Sequence, residues 1–307
     1  MQLRLPYKLA IIGALLAGAT AMAGAPDNPI IESVKTMERE LGLTITTPDD
    51  LFRRVRQPQA PDNYFLSPPA IAPDGNALAW CAAPFSDPDQ KMPFLTVESL
   101  KEGRQPVRVE GQLPFGLISI SSGAEVIVAL AHPLQSRRAE LLAIDRRSGV
   151  VVHDLTSYLT QFELRNMRDF NVSGPGNMVA LSSREPELIQ VLEIPSGRTV
   201  YSGHGRTPRL SPDGKRLAFV DKDKLWVHSF TDNSTVQLLK GKRVKGAGGW
   251  SPDGRFLLAG AWTTELAFEK RQIILDTTTG EYAVIGKLGE GDYGAYFAWV
   301  SVKLLPQ

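Results

Sequence analysis

The apolar positions of this chain fall into short runs separated by clusters of turn-forming residues. From about residue 62 onward, each run is followed by a group of Gly, Pro, Asp, Asn or Ser residues. Runs of this length are typical of β-strands bounded by tight turns. Two kinds of turn alternate, so the pattern predicts about four strands in each repeating unit. The clearest runs cover residues 141–144, 189–192, 225–227 and 273–275.

A motif of Pro, Asp and Gly followed by apolar residues recurs along the chain. Its aligned glycines lie 38 to 53 residues apart, which is the spacing of β-propeller blades with some long loops. Pro presets the second turn position and Gly accepts the left-handed conformation, so each Asp is expected to be a turn residue rather than a catalytic one. The copies cover residues 72–80, 211–219 and 251–258, with degenerate copies at 121–128 and 173–180.

The repeats predict an all-β fold of the propeller type. Five full units cover roughly residues 67–290, and the apolar run 296–300 begins a sixth. A strand at residues 63–66 could complete that last blade beside the C-terminal strand. We therefore expect six blades with a composite last blade, with five blades as the alternative. A β-sandwich would not explain the repeated motif.

The N-terminal part has a different pattern, which divides the chain into three segments. Basic residues, an apolar run at 9–19 and the sequence Ala-Met-Ala ending at Ala23 are typical of a secretory signal peptide. Residues 1–23 are therefore predicted to be removed on export. Residues 24–61 are predicted to form a short helical prefix and linker, and residues 62–307 to form the propeller.

The second helix of that prefix is predicted to begin at Thr47. Thr47 is a good N-cap, the Pro that follows it suits the first helical position, and two acidic residues come next. The apolar side chains Leu51, Phe52 and Val55 would then dock on the propeller.

The motif at residues 211–219, with its partners at 72–80 and 251–258, resembles the repeat of TolB-type and related WD-like propellers. The resemblance covers the propeller segment. It implies a toroid with a central channel, a form often used for protein docking in the bacterial envelope. The resemblance is to the propeller part, and we expect no sizeable α/β domain like that of TolB between residues 24 and 61.

Composition excludes several classes of function. The chain has 307 residues and a net charge of +1, which gives no global attraction to nucleic acid. A single Cys excludes an internal disulfide and any multi-cysteine metal site. The four His residues lack the spacing of a metal-binding motif, so we expect no metal and no cofactor.

The sequence also gives no support for a hydrolase activity. Related propellers cover a separate α/β-hydrolase domain in the prolyl oligopeptidase family, which needs a Gly-x-Ser-x-Gly motif. The nearest match surrounds Ser251 and lacks the last Gly, so Ser251 is expected to be a turn residue.

The densest positive patch is the strongest electrostatic candidate for docking a partner. It precedes a glycine-rich stretch that lacks the ending of a phosphate-binding loop, and a solvated loop between blades is the expected structure. One Trp is expected in a surface loop, whereas the other four are expected to pack in the core. These partner-binding candidates are Lys240, Lys242, Arg243, Lys245 and Trp262.

Three further residues lie near predicted strand ends, where they could line the channel mouth or belong to ordinary loops. They are His153, Asp154 and His204. The paired carboxylates Asp221 and Asp223 lack the series of acidic residues that makes a calcium loop specific, so a solvated loop is expected there.

Taken together, these features favour an exported, non-enzymatic propeller that binds another envelope protein. The predicted location is periplasmic or secreted, without nucleic acid as partner and without stable membrane insertion after signal cleavage. The alternative is a small-ligand or catalytic site assembled in the central channel from several blades, which the sequence alone does not reveal.

Overall fold

The computed structural model describes residues 52–54, 64–66, 70–74, 77–84, 94–99, 107–110, 118–121, 126–131, 140–145, 150–159, 166–262, 270–287 and 297–299. The predicted signal peptide and most of the predicted helical prefix lie outside the described residues.

These residues form short antiparallel strands, and all but two of the strands belong to five sheets that are the blades of a β-propeller. The two remaining strands, β1 (Phe52–Arg54) and β23 (Phe297–Trp299), pair with each other.

Blade I contains β2 (Tyr64–Leu66), β3 (Ala70–Ile71), β4 (Ala77–Pro84), β5 (Phe94–Ser99) and β6 (Val107–Glu110). Blade II contains β7 (Ile118–Ile120), β8 (Val126–Ala131), β9 (Glu140–Asp145) and β10 (Val151–Asp154). Blade III contains β11 (Met167–Val172), β12 (Met178–Ser183), β13 (Leu188–Glu193) and β14 (Thr199–His204). Blade IV contains β15 (Arg206–Leu210), β16 (Arg216–Asp221), β17 (Lys224–Ser229) and β18 (Ser234–Leu238). Blade V contains β19 (Arg243–Trp250), β20 (Phe256–Trp262), β21 (Lys270–Asp276) and β22 (Tyr282–Lys287).

The inner strand of each blade lies nearest the propeller axis. Along the chain these inner strands are β3, β7, β11, β15 and β19, and each of the first four contacts the inner strand that follows it. In blades II to V the remaining three strands follow outward in chain order. In these four blades the first strand therefore borders the propeller axis, and the fourth strand forms the outer edge.

Within the described residues there are five blades, which is the alternative that the sequence left open beside six. The expected pairing of residues 63–66 with the C-terminal strand is wrong, because β2 pairs with β4. Within blade I the Tyr64 ring packs 5.4 Å from the Phe94 ring. The C-terminal strand β23 pairs with β1 instead.

Three residues that the sequence placed in the second helix of the prefix, Phe52–Arg54, are strand in the structure. Phe52 belongs to strand β1 and has Trp299 as its register partner. Local capping residues favour a helix here, but a tertiary interaction with the other end of the chain overrides a weak local propensity. The remainder of the prefix, including Thr47, lies outside the described residues.

Burial between blades explains why the strands are continuous apolar runs. In β16, Leu217 and Phe219 pack in one cluster with residues of blade III, whereas Ala218 and Val220 pack in another with residues of blade V. Successive side chains of a strand point to opposite faces, so a strand between two blades buries both of its faces.

The Pro-Asp-Gly motif forms the predicted turn between the first and second strands of a blade. In blade IV, Gly214 has φ of 72° and its N–H donates to Ser211 O at 2.9 Å. The Ser211 hydroxyl donates to the Asp213 carboxylate at 2.5 Å, and that carboxylate accepts the Lys215 N–H at 3.0 Å. Asp213 is therefore a turn residue, as predicted.

Blade V repeats this arrangement with Ser251, Asp253 and Gly254, whose φ is 73°. Ser251 is accordingly a turn residue, as predicted. In the degenerate copy of blade III, the Ser173 hydroxyl donates to Asn177 Oδ1 instead. No helix in the described part of the chain is long and apolar enough to cross a membrane.

Candidate functional site

Antiparallel strands divide the ends of each blade between two faces of the propeller. The Pro-Asp-Gly turns lie on one face, which we call the turn face. The inner strands begin on the opposite face, where the connections between second and third strands also lie. We call this second face the rim face.

A chain of alternating charges crosses the rim face of blades III to V. Glu187 contacts Arg168 and Arg206, with N···O distances of 3.5 Å to each. Asp223 then links Arg206 to Arg243, at 2.7 and 2.9 Å. We call these five residues the arginine rim. Because its members come from three blades, the rim is produced by the fold rather than by a local motif.

The centre of the rim is Arg206, the least exposed member at 14%. Its Nε donates to Lys245 O at 3.4 Å, and its terminal nitrogens contact Glu187 and Asp223. All three nitrogens of this guanidinium therefore have protein partners. Arg206 holds neighbouring blades together and has little capacity left for a ligand.

Asp223 occupies a tight hairpin between β16 and β17. Lys222 and Asp223 both have positive φ, 47° and 60°, as in a type I′ turn. The Asp223 carbonyl accepts the Val244 N–H at 2.7 Å, which fixes this hairpin of blade IV against the inner strand of blade V. Hydrogen bonds from Arg243 and then Arg206 hold the pKa of the Asp223 carboxyl below its usual value.

Arg243 ends the rim and is its most exposed member, at 63%. Its guanidinium lies over the Trp262 ring, 4.9 Å from the centroid, and donates one hydrogen bond to Asp223. The sequence indicated Arg243 and Trp262 separately, and the structure brings them into contact. The signal that could have joined them is the pairing of β19 with β20, in which the two residues are register partners.

The other lysines of the predicted patch lie close to Arg243 in the chain. Lys240 is exposed in the connection between blades IV and V, and Lys242 is half-buried there. Lys245 is half-buried within β19. The expectation of a solvated loop is therefore confirmed for the connection but wrong for Arg243 and Lys245, which belong to an inner strand.

The glycine-rich stretch is also strand. Strand β19 contains two register irregularities, and a Cβ on Gly248 would lie 2.9 Å from Leu258 Cβ. Close approach to β20 explains the glycine, so phosphate binding is not needed to account for it.

Below the rim, side chains join the inner strands to one another. Arg209 of blade IV and Asp169 of blade III form an ion pair at 2.6 Å, with each side chain about a quarter exposed. Asn171 Oδ1 accepts the Leu210 N–H at 2.7 Å. These residues were missed by sequence reasoning, because their partners come from different blades and share no local spacing.

The three predicted channel or loop residues lie away from the channel. His153 and Asp154 belong to β10, and His204 is the last residue of β14. Strands β10 and β14 are the fourth strands of their blades and therefore form the outer edges. The prediction that these residues line the channel mouth is wrong. Asp154 Oδ1 instead accepts the Thr156 N–H at 2.9 Å, just before a short 3-10 helix, Thr156–Tyr158.

A buried histidine that the sequence did not single out lies between blades III and IV. His228 Nδ1 is 2.9 Å from Thr235 Oγ1, and its ring lies between the rings of Tyr201 and Phe230. Burial lowers its pKa. The aromatic neighbours and the Thr235 contact account for His228 as part of the packing between blades III and IV.

Metal-binding chemistry finds no support among the described residues. They contain no group of three or more His, Cys, Asp and Glu side chains that could hold a metal ion. Asp223 is engaged by two arginines, so it does not form a cation site with Asp221.

No protein-family model and no curated protein matches the sequence. Solved structures do match. TolB from Acinetobacter baumannii has 16% sequence identity and a TM-score of 0.50, over 74% of this chain and 55% of that protein. A protein assigned as TolB from Agrobacterium tumefaciens has 15% identity and a TM-score of 0.50, over 73% of this chain and 81% of that one.

A propeller domain of an enzyme matches equally well. The β-propeller domain of the trilobed protease from Pyrococcus furiosus has 12% identity and a TM-score of 0.51, over 73% of this chain and 71% of that one. At these identities the matches show the fold alone, which confirms a TolB-like propeller. The chain spans only about half the length of the TolB from A. baumannii.

Proposed function

We propose that this chain is an exported, non-enzymatic β-propeller that binds another protein of the bacterial envelope through its rim face. The observation that carries this proposal is the Arg243–Trp262 pair, whose arginine is exposed and follows the exposed Lys240 in the chain, on the face where the arginine rim joins three blades. Arg and Trp are enriched among the residues that dominate protein interfaces. The TolB-like fold and the signal-peptide pattern support a periplasmic location.

The rim face suits docking because its charged side chains are held in place. The arginine rim fixes Arg206 and Asp223 between blades, so less side-chain freedom remains to be lost on binding. The turn face differs, since its Ser and Asp side chains are occupied within their own turns.

Affinity capture from an envelope extract of the source organism tests this proposal. The bait is the chain from Gly24 onward, compared with the variants Arg243→Glu and Lys215→Glu. Both variants change the charge by the same amount, and Lys215 is exposed on the turn face. No amine-reactive crosslinker is used, because replacing a lysine would remove a crosslinking site whether or not that lysine contributes to binding.

We expect one protein in near-stoichiometric amount with the unchanged chain and with Lys215→Glu, and its loss with Arg243→Glu. Recovery of the same protein with all three baits would place binding elsewhere. A turnover activity of the purified chain would contradict a non-enzymatic role.

The second candidate is a small-ligand site in the channel, which the Arg209–Asp169 pair on the inner strands favours. At 2.6 Å the two groups neutralise each other, so a ligand would have to displace one of them. Ligand binding abolished by Asp169→Asn but unchanged by Arg243→Glu would support this candidate over protein docking.

A further inference from the structure

Two Arg–Trp stacks of blades IV and V have nearly the same geometry but different surroundings. Arg216 lies 4.8 Å from the Trp250 ring centroid, and Arg243 lies 4.9 Å from that of Trp262. Arg216 also donates to Gly254 O at 2.6 Å and to Thr277 Oγ1 at 3.3 Å. Its guanidinium is occupied in joining the two blades on the turn face.

Arg243 is held by fewer groups. Within the described residues its guanidinium makes a single hydrogen bond, from Nη2 to Asp223 at 2.9 Å, while its central carbon lies 4.9 Å from the Trp262 ring centroid. A guanidinium carries five N–H groups in a planar fork. With described residues as partners, one hydrogen bond uses one of these five groups, and the side chain is 63% exposed, so other N–H groups of the fork can reach a ligand.

Carboxylate groups match this fork best. Two parallel N–H···O bonds from Arg to a carboxylate are shorter and stronger than bonds between neutral groups. Because Asp223 and Trp262 already fix the orientation of Arg243, binding loses less side-chain entropy than it would at a free arginine.

The charge around Arg243 adds to this preference. Lys222 and Lys224 flank Asp223 and are exposed, and Lys240 is exposed in the connection that leads to Arg243. The nearest described carboxylate, Asp223, is shared by two arginines. We call Lys222, Lys224, Lys240 and Arg243 the cationic cluster.

A peptide fits the cationic cluster better than a membrane surface does. Clusters of Lys and Arg are attracted to anionic headgroups by charge, but firm binding at a lipid interface also uses exposed apolar side chains that insert among the headgroups. The large exposed apolar side chains of the described residues all lie outside the cluster: Val150, Val151, Val152, Tyr158, Val236 and Tyr282.

We infer that the rim face recognises an acidic peptide segment, one of whose carboxylates is bound by the Arg243 guanidinium while neighbouring acidic side chains face Lys222, Lys224 and Lys240. This inference rests on the proposed function, because it gives the chemistry of the partner that the rim face would bind.

Fluorescence anisotropy with a labelled deca-glutamate peptide tests the inference on the purified chain. A deca-glutamine peptide of the same length and vesicles of phosphatidylglycerol are the comparison probes. The variants are Arg243→Ala, Arg243→Lys, Lys240→Ala and, as control on the opposite face, Lys215→Ala.

We expect deca-glutamate to bind at low salt and deca-glutamine not to bind. Arg243→Ala should weaken binding about tenfold, as loss of a charge-assisted pair implies, and Lys240→Ala should weaken it about twofold to threefold. Arg243→Lys should restore only part of the affinity, because an ammonium keeps the charge but lacks the fork. Lys215→Ala should change nothing.

Equal affinities of all variants, or no binding of deca-glutamate at millimolar concentration, would overturn the inference. Vesicle binding that depends on Arg243, without peptide binding, would identify a lipid surface instead. If envelope capture depends on Arg243 but deca-glutamate does not bind, this inference fails and the proposed function stands. If deca-glutamate binds through Arg243 but no envelope protein is captured, the proposed function fails alone.

Discussion

The Arg216–Trp250 and Arg243–Trp262 stacks show how one pair of residue types serves two purposes in one propeller. Trp250 is 4% exposed and its Nε1 donates to Arg209 O at 2.9 Å, so the first stack is part of the packing between blades IV and V. The second stack lies at the start of an inner strand, and its arginine is largely exposed. The difference lies in what surrounds each arginine, not in the stack itself.

The same contrast holds for the two faces. On the turn face, Ser211 and Asp213 satisfy each other and nearby backbone within their own turn. On the rim face, Asp223 is satisfied by arginines of two blades. Repeated residues therefore build the turns, whereas residues outside the repeat build the candidate docking surface.

Replacing each tryptophan by alanine should give the largest difference in stability between the two stacks. Trp250→Ala removes a buried ring and a hydrogen bond between blades, so we expect it to lower the free energy of unfolding by about 3–5 kcal/mol. Trp262 is only half-buried, and Trp262→Ala should lower it by much less. Urea denaturation of both variants measures the difference, and equal losses would contradict a structural role confined to Trp250.

Truncating the two arginines should give a smaller difference in the same direction. Arg216→Ala leaves the Gly254 carbonyl without its donor and should lower the free energy of unfolding by about 1–3 kcal/mol. Arg243→Ala removes a mostly exposed ion pair and should change it by less than about 1 kcal/mol. Thermal unfolding shows which substitution lowers stability more. A larger loss with Arg243→Ala would show that the rim face contributes more to stability than the Arg216 contacts do.

Asp223 links stability to pH on the rim face. Its pKa is lower in the folded chain than the ordinary value of about 3.9, so its ionised form stabilises the fold above that pH. This stabilisation decreases as the pH falls through the folded-state pKa. We expect Asp223→Asn to lower stability near neutral pH and to differ little from the unchanged chain in strong acid, in urea denaturation at both pH values.

A difference that persisted unchanged into strong acid would show that Asp223 acts through its backbone hairpin rather than through its charge. The matched variant Asp213→Asn, in the turn of blade IV, tests the other face. Burial raises the Asp213 pKa, but the Ser211 and Lys215 hydrogen bonds and the nearby Arg216 and Lys215 charges together lower it below its usual value, so a similar but local pH effect is expected there.

The smallest stability effect should come from reversing exposed charges. Neither Lys240→Glu nor Lys215→Glu should change the unfolding midpoint by much, because surface substitutions lie within about 0.5 kcal/mol and the exposed Lys215 side chain makes only a charge interaction with Asp213 among the described residues. Only Lys240→Glu should weaken deca-glutamate binding. A loss of binding in both variants would mean that net charge, and not the cationic cluster, attracts the peptide.

The sequence was sufficient for the fold class because the Pro-Asp-Gly turns are local. Pro, Asp and Gly at fixed offsets determine a turn through their own φ preferences and side-chain hydrogen bonds, so Asp213 and Gly214 could be assigned without a structure. The pairing of β1 with β23 could not, since it depends on an interaction between the two ends of the chain.

The candidate site was predicted only in part. Arg243 and Lys240 form a charge run that is visible in the sequence, but Arg168, Glu187 and Arg206 lie in other blades and have no common spacing with them. The histidines were misplaced because a strand end can belong to an inner or an outer strand, and the local pattern does not distinguish the two.

Hydrogen exchange measured by mass spectrometry, with and without saturating deca-glutamate, tests most directly whether the rim face is the binding face. We predict slower exchange in the segments around Lys222 and Arg243, and no change in the turns that contain Gly214 and Gly254. Protection confined to the turn face or to the outer strands would contradict the assignment of binding to the rim face.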